Sequence, residues 1–328
     1  MKITFFSTHR FERETLNIAF SDVSTQYLEE SLSLNTAPLA EGAAAVSIFV
    51  NDDATAPVLE ELSVRGVKCL LLRCAGYNHV DLEAAKRLGI SILRVPSYSP
   101  YAVAEHTMAL MLALNRKLIR AHNRVQDGNF SLNGLVGFDM HGKTLGIIGL
   151  GNIGDKVARI GLGMGCKVLG VDYHVNDELV RNGVEYVQLD ELYERSDIVT
   201  LHCPLMPATQ HLINAEAINK MRSGVMLINT SRGGLVDTKA VIQALKQKKI
   251  GYLGLDVYEE EKGLFFEDHS GDVLQDDVIA RLITFPNVMV TSHQGFLTKT
   301  ALTNIADTTR LNFDQFVGGE VCENGVLE

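Results

Sequence analysis

Three polar residues follow three successive strand-like runs in the later part of the chain, and their types complement one another. Arg232 stands in Asn229-Thr-Ser-Arg-Gly-Gly234, after the run Val225–Thr230. Glu261 lies in the loop after Tyr252–Asp256, and His293 follows Val288–Thr291 in Thr291-Ser-His-Gln-Gly295. Histidine titrates near neutrality and can give or take a proton during a reaction. A carboxylate beside it favours the imidazolium. A guanidinium grips a carboxylate as a fork and polarises a carbonyl oxygen. Taken singly, each residue has a plainer reading: a solvated loop charge, one member of the acidic run Glu259-Glu260-Glu261, and a core imidazole. Spacing leaves the choice among the three glutamates open. The two glycines after Arg232 suit close approach to a ligand.

A glycine-rich loop supplies the second kind of chemistry. Thr144-Leu-Gly-Ile-Ile-Gly-Leu-Gly-Asn-Ile-Gly154 places Gly149, Gly151 and Gly154 as GxGxxG directly after a strand and before a helical pattern. In such a loop the first glycine permits the turn and the second lets the backbone approach a pyrophosphate. The third lets helix and strand pack closely, with the helix N–H groups facing the phosphates. Asp172 ends the next strand, 18 residues after Gly154. A carboxylate there accepts from a ribose 2′-hydroxyl and repels a 2′-phosphate, so the cofactor expected is NAD. Reducing a 2-oxo acid takes a hydride from NADH and a proton on the carbonyl oxygen. Arg232, Glu261 and His293 form a complete set for the rest of that reaction.

The elements that must position these residues alternate. Short apolar runs are expected as strands at Ile3–Ser7, Val46–Val50, Lys68–Arg73, Ser91–Val95, Thr144–Gly149 and Lys167–Asp172. Four more follow at Asp197–Leu201, Val225–Thr230, Tyr252–Asp256 and Val288–Thr291. Helical patterns lie between most of them, which implies βαβ units and parallel sheets. Ser99-Pro100 signals a helix start. The stretch from Tyr101 to His122 is expected as one long helix, apolar on nearly every face from Ala102 to Leu114 and therefore buried on several sides. Two sheets follow, one from the strands before residue 98 and one from Thr144 to Thr291. The last helix, from about Thr298 to Val317, has no strand after it and returns to the first domain if that domain is discontinuous.

The 328 residues suggest two domains, and composition narrows the function classes. The net charge is −10 with no run of Lys or Arg, which disfavours nucleic acid or an anionic membrane as partner. Ile3–Phe6 is too short for a signal-peptide core, no stretch is long enough to span a bilayer, and the C-terminus carries no lipidation signal. A cytoplasmic protein is expected. Cys69, Cys74, Cys166, Cys203 and Cys322 show no CxxC pair, so neither a disulfide framework nor structural zinc is expected. His79, His106 and His141 have no metal-ligand spacing, so no metal site is expected. Arg116, Lys117, Arg120 and Arg124 recur at helical spacing and read as a solvated face rather than an effector-anion site.

Five motifs in order resemble the D-isomer-specific 2-hydroxy acid dehydrogenase family over nearly the whole chain. They are Gly142–Gly154, Leu201-His-Cys-Pro-Leu205, Asn229–Gly234, Gly254-Leu-Asp-Val-Tyr-Glu259 and Thr291–Gly295. Arg73-Cys-Ala-Gly-Tyr-Asn78 and the segment Val95–His106 narrow the likeness to its fermentative, D-lactate-forming members. The resemblance implies an α/β protein of two doubly wound parallel-sheet domains with a cleft between them. One is a Rossmann-type cofactor domain over 99–297. The other is a flavodoxin-like substrate domain over 1–98 and 298–328. It implies a homodimer, or an oligomer built on one, formed through the cofactor domains with the long helix after Ser99 contributing.

Carried over residue by residue, the resemblance makes Arg232 the arginine for the substrate carboxylate and carbonyl, His293 the acid/base and Glu261 its partner. The N–H groups of Ala75 and Gly76 bind the substrate carboxylate, and Tyr98, Phe49 and Phe296 line the side-chain pocket. Three large aromatics there favour a methyl group over a branched chain, hence pyruvate over 2-oxoisocaproate, with some tolerance. Asn152 and Ile153 sit at the pyrophosphate, and Cys203, Pro204, Thr230 and Asp256 near the ribose and nicotinamide. His202 is read as structural or cofactor-side. The alternatives are another D-2-hydroxy acid dehydrogenase, acting on 2-oxoisocaproate, hydroxypyruvate or glyoxylate, and a non-catalytic NAD-sensing protein on the same fold.

Overall fold

Apolar runs of about four residues are too short to make a stable helix and pair instead as strands. In the computed structural model, which describes residues 1–326, the first of them form one parallel sheet. Its elements are β1 (Lys2–Phe5), α1 (Arg10–Ala19), β2 (Ser24–Tyr27), β3 (Ala45–Ile48), α2 (Ala56–Val64), β4 (Cys69–Leu72), α3 (Leu82–Leu88) and β5 (Ser91–Arg94). The order is β2-β1-β3-β4-β5, every pair parallel. β3 and β4 bury all four residues, as a parallel strand covered on both faces must. The winding reverses between β1 and β3. The loops after their carboxyl ends therefore diverge and leave the crevice that doubly wound sheets offer to ligands.

The second sheet has seven strands. Its elements are α4 (Pro100–Arg116), α5 (Leu118–Gln126), β6 (Thr144–Ile148), α6 (Asn152–Gly163), β7 (Lys167–Val171), α7 (Asp177–Arg181), β8 (Val184–Tyr186) and α8 (Leu189–Arg195). They continue with β9 (Ile198–Leu201), α9 (Ala215–Lys220), β10 (Val225–Asn229), α10 (Thr238–Lys246), β11 (Ile250–Leu255), α11 (Asp277–Leu282) and β12 (Val288–Val290). The order β12-β11-β10-β9-β6-β7-β8, all parallel, reverses between β6 and β9, the dinucleotide-binding arrangement with one strand added. Alternation along each strand fills two cores. Ile147, Met226 and Ile228 face α4 residues Met108, Leu110 and Leu114, while Ile148, Leu227 and Leu253 face the other layer. Each such side chain contributes about 1.5–3 kcal/mol on burial.

The closing helix α12 (Lys299–Gly318) packs on α1, β4 and β5. Ala306 and Phe313 join Ile3, Phe5, Leu71 and Leu93 in that core. Thr298 caps its start by accepting from the Ala301 N–H at 3.2 Å, and Gly319 ends it in the left-handed conformation (φ 67°). The chain therefore forms two units, one from Met1–Ser99 and the stretch beginning at Leu297, the other from Pro100–Phe296. No helix among the described residues is long and apolar enough to cross a membrane.

The structure corrects the single helix expected from Tyr101 to His122. Lys117 takes φ 51° and divides it into α4 and α5. The cause is Asn115, 1% exposed, whose side chain exchanges hydrogen bonds with the Phe138 N–H (2.8 Å) and carbonyl (2.7 Å). That exchange pins the returning chain across the helix end. α4 is buried on several sides, whereas α5 buries no residue. Strands β2 and β8 also escape the apolar pattern. Both are edges, and β2 (Ser-Thr-Gln-Tyr) buries no residue fully.

Candidate active site

The glycine loop leaves β6 as its spacing predicts. Gly149 takes φ 93°, and a Cβ on Gly154 would lie 1.9 Å from the Gly149 carbonyl oxygen, so no larger residue permits this packing of α6 on the turn. α6 begins at Asn152, and its first N–H groups, those of Asn152 and Ile153 among them, point out of the helix end without intrahelical partners. Beside Gly151 a Cβ would meet no atom within 4 Å. Asp172 follows β7 and accepts from the Leu150 N–H at 2.5 Å and the His174 N–H at 3.2 Å, leaving lone pairs for a hydroxyl. Open space at the second glycine, a helix N-terminus and a carboxylate past the next strand together fit a dinucleotide with a free 2′-hydroxyl.

Cys203 and Pro204 follow β9, across the switch point. The 202–203 backbone lies so close to Gly149 that a Cβ there would sit 2.5 Å from the Cys203 nitrogen. Burial pushes the Cys203 thiol up to about 11, with the Asp172 charge adding to it, so it is protonated at neutral pH. Burial pushes His202 down to about 3, and its Nε2 meets Thr200 Oγ1 at 2.9 Å. A neutral imidazole held in that way is structural.

Arg232 is placed by Asn229, the fully buried last residue of β10. Asn229 donates to the Arg232 carbonyl at 2.8 Å and accepts from the Ser231 N–H at 3.0 Å. Ser231 Oγ donates to the Cys203 carbonyl at 2.7 Å. The guanidinium donates to the Ser231 carbonyl at 2.7 Å and pairs with no carboxylate among the described residues. Most of its fork is left for an anion. Thr230 Oγ1 is turned to Thr107 Oγ1 on α4, 2.8 Å away and buried.

The three glutamates left open by spacing divide cleanly. Glu259 is occupied, with His211 Nε2 at 2.6 Å on one oxygen and the Thr238 N–H at 2.9 Å on the other. Glu260 is exposed. Glu261 Oε1 lies 3.0 Å from His293 Nδ1, and its Oε2 accepts from the Tyr258 N–H at 3.3 Å. His293 is held at φ 49°, a left-handed conformation uncommon outside glycine, and its N–H donates to the Asp256 carbonyl at 2.7 Å. Glu261 thus engages one ring nitrogen, and Nε2 is the other proton-carrying position of the ring.

Asp256, 1% exposed, holds the turn that carries this histidine. Its carboxylate accepts from Thr291 Oγ1 (2.6 Å), the Gln294 N–H (2.9 Å) and the Gly295 N–H (2.8 Å), with His106 Nε2 at 3.2 Å. Burial raises this carboxyl, yet the hydrogen bonds from His106 and Thr291 and the charges of His106 and His293 outweigh it and hold it below the usual range. Sequence reasoning missed His106 and Thr291. The available signal was an ionisable residue inside the apolar helix that follows Pro100.

In the first unit, Ala75 and Gly76 follow β4 and are partly exposed. Their N–H groups donate to no acceptor among the described residues. Phe49, 4% exposed, follows β3, and its N–H donates to Asp52 at 2.6 Å. Asp52 also accepts from Ser7 Oγ and the Leu32 N–H, both at 2.7 Å, and burial pushes its carboxyl up. The Phe49 ring meets His9 edge-on at 5.1 Å. Beneath it Arg73, fully buried, pairs with Glu12 at 3.0 Å and donates to the Phe6 and Ser7 carbonyls. That buried pair ties together the loops after β1, β3 and β4, and the sequence reading assigned it no role. Tyr98 accepts from Asn304 through its carbonyl at 2.6 Å, and Phe296, 7% exposed, ends the second unit.

Among the described residues no group of three His, Cys, Asp or Glu is arranged to hold a metal ion. Two of the four basic residues around α5 act as struts: Lys117 donates to the Val136 carbonyl, and Arg124 donates to the Asn133 carbonyl at 2.7 Å. Arg116 and Arg120 are exposed.

Comparison with known proteins shows the family. Residues 108–295 match the NAD-binding domain of the D-isomer specific 2-hydroxyacid dehydrogenases. The chain is 50% identical to the D-lactate dehydrogenase of Escherichia coli K12, with 100% of each chain covered. Its fold matches the pyruvate reductase of Chlamydomonas reinhardtii with a TM-score of 0.94 at 47% identity, over 99% of this chain and 98% of that one. It also matches the Aquifex aeolicus D-lactate dehydrogenase in complex with NAD and lactic acid, with a TM-score of 0.89 at 34% identity, over 99% of each. The chain belongs to the D-isomer specific 2-hydroxyacid dehydrogenase family and is an NAD-dependent oxidoreductase.

Proposed function

We propose that the protein is a D-lactate dehydrogenase that reduces pyruvate with NADH in the cytoplasm, reversibly, and that Arg232, Glu261 and His293 are its catalytic residues. The observation that carries this reading is the 3.0 Å contact of His293 Nδ1 with Glu261, on the same sheet edge as an arginine that no carboxylate neutralises among the described residues. Half-identical relatives with that activity support it. The unit Pro100–Phe296 is the cofactor domain, and the unit holding Ala75 and Gly76 is the substrate domain.

NADH supplies the hydride. Arg232 binds the carboxylate of the 2-oxo acid and polarises its ketone, and the Ala75 and Gly76 N–H groups are the first unit's donors to that carboxylate. His293 delivers the proton to the carbonyl oxygen from Nε2. Glu261 fixes the ring through Nδ1 and stabilises its protonated form before transfer. In the direction of oxidation the same imidazole, now neutral, takes the hydroxyl proton. Phe49, Tyr98 and Phe296 set the size of the acyl pocket, and Asp172 holds the adenosine ribose. A second copy of the chain covers α5, whose Leu118, Ile119 and Val125 are all more than half exposed.

The test is the initial rate of NADH oxidation with pyruvate, 2-oxoisocaproate, hydroxypyruvate and glyoxylate at matched concentrations, with chiral analysis of the product. Pyruvate should be preferred and yield D-lactate. Preference for another acid would overturn the pocket reading while leaving the catalytic set. In His293→Gln turnover should fall by roughly 10²–10⁴-fold with NADH binding intact. Normal turnover in that variant removes His293 as the proton donor.

A further inference from the structure

We propose that Arg94 and Cys74 are positioning residues that aim the N–H groups of Ala75 and Gly76 at the substrate carboxylate. This rests on the reading of that turn as a carboxylate site. A planar trans peptide points its carbonyl and its N–H in opposite directions, so holding one aims the other. Both peptides that carry these N–H groups are held by the oxygen. The Cys74 carbonyl accepts from the Val95 N–H at 3.2 Å, which turns the Ala75 N–H away from the end of β5. The Ala75 carbonyl accepts from Arg94 Nη1 at 2.8 Å, which turns the Gly76 N–H to the other side. The next carbonyl, that of Gly76, accepts from the Cys74 thiol at 3.1 Å, so the turn is fixed at its far end as well.

Arg94 is built for this work and occupied by little else. It ends β5, beside β4 in register Leu72↔Arg94, and its backbone is anchored on both sides. The Arg94 N–H donates to the Asn324 carbonyl at 3.1 Å, and its carbonyl accepts from Asn312 Nδ2 at 2.9 Å. Its guanidinium lies 5.2 Å from the centre of the Tyr77 ring and pairs with no carboxylate among the described residues. A cation on the carbonyl side also aligns with the peptide dipole, so its field adds to the pull of the N–H groups on an anion. Arg94 touches no substrate in this scheme. It acts through the turn.

The experiment uses the full chain labelled with [15N]alanine and [15N]glycine, in the NADH complex, titrated with oxamate, the unreactive isostere of pyruvate. In the wild type the Ala75 and Gly76 amide resonances should move downfield on oxamate binding. If they do not move, the carboxylate reading of the turn falls, and the positioning proposal with it. If they do, Arg94→Gln decides the proposal. The shifts should shrink and the KM for pyruvate should rise roughly ten- to hundred-fold, the worth of one charged hydrogen bond, with kcat within a few-fold and NADH affinity unchanged. Arg94→Lys, which keeps a donor and the charge, should recover most of the KM. Cys74→Ala should raise KM by a smaller factor than Arg94→Gln. Unchanged amide shifts and an unchanged KM in Arg94→Gln overturn the proposal. So does an equal loss in Arg94→Lys and Arg94→Gln, which would mark Arg94 as a packing residue only.

Discussion

Asp256 and Glu261 are both carboxylates beside a histidine, and their surroundings divide the work between them. Glu261 is partly exposed and meets His293 through one oxygen, which suits the partner role proposed for it. Asp256 is 1% exposed and meets two N–H groups, a hydroxyl and His106, which suits a fixed anchor. Its carboxyl is held below the usual carboxylate range despite burial, because the hydrogen bonds and nearby positive charges win. A folded-state value below the unfolded one contributes stability above the unfolded value, and that contribution fades as pH falls through the folded one. Asp256→Asn puts an amide where the Gly295 or Gln294 N–H needs an acceptor. It should cost about 1–3 kcal/mol at neutral pH. Urea titrations from neutral pH down to about 3 should show the gap between variant and wild type narrowing on the acid side. A gap that stays constant across that range would remove the charge from the argument.

At the scale of elements, the proposed catalytic geometry depends on how closely two loops approach. Gly233, at the start of the loop after Arg232, lies so near the Tyr258 carbonyl that a Cβ would sit 2.0 Å from its oxygen. Backbone cannot yield as a side-chain end can, so Gly233→Ala must push the β10 loop from the β11 loop and move Arg232 relative to Glu261. Turnover should fall by at least roughly a hundred-fold, as misplacement of a positioned group by about 1 Å does. NADH affinity, which the proposed reading assigns to the β6 loop, should hold. A Gly233→Ala enzyme with wild-type turnover would show that the two loops need no fixed spacing. The two glycines after Arg232 were visible in the sequence, and so were the strand cores, because Val225–Asn229 and Thr144–Ile148 carry buried runs that no other element explains. Edge strands β2 and β8 were not, since a strand with one neighbour needs no apolar run. The break at Lys117 was hidden for a different reason. The apolar pattern ends gradually there, and the interruption comes from Asn115 binding Phe138, a contact 23 residues distant. The choice of Glu261 over Glu259 was likewise invisible to spacing, because it depends on His211 claiming Glu259 from another loop.

For the molecule as a whole, the unsolved matter in one chain alone is the apolar surface left by α5 and the segment after it. α5 buries no residue, yet Leu118, Ile119 and Val125 are exposed on it, and Phe130, Leu132 and Val136 follow at 75%, 79% and 81% exposure. A chain of net charge −10 has polar residues enough to cover such a surface. Instead, the segment is strapped in place by Lys117 on the Val136 carbonyl, Arg124 on the Asn133 carbonyl and Asn115 on Phe138. Shaping a loop with three side chains while leaving its apolar groups outward is sensible only if something covers them. The second copy proposed above would meet that need with the same surface on both sides, as a two-fold interface does. Sedimentation velocity should therefore give a dimer or a multiple of one at micromolar concentration. Leu118→Asp with Ile119→Asp places a buried, unpaired charge pair on each face and should shift the protein to monomer, with far-ultraviolet circular dichroism unchanged because neither residue is buried in its own chain. A wild-type chain that sediments as a monomer, or a double variant that keeps the wild-type mass, would leave α5 without this partner.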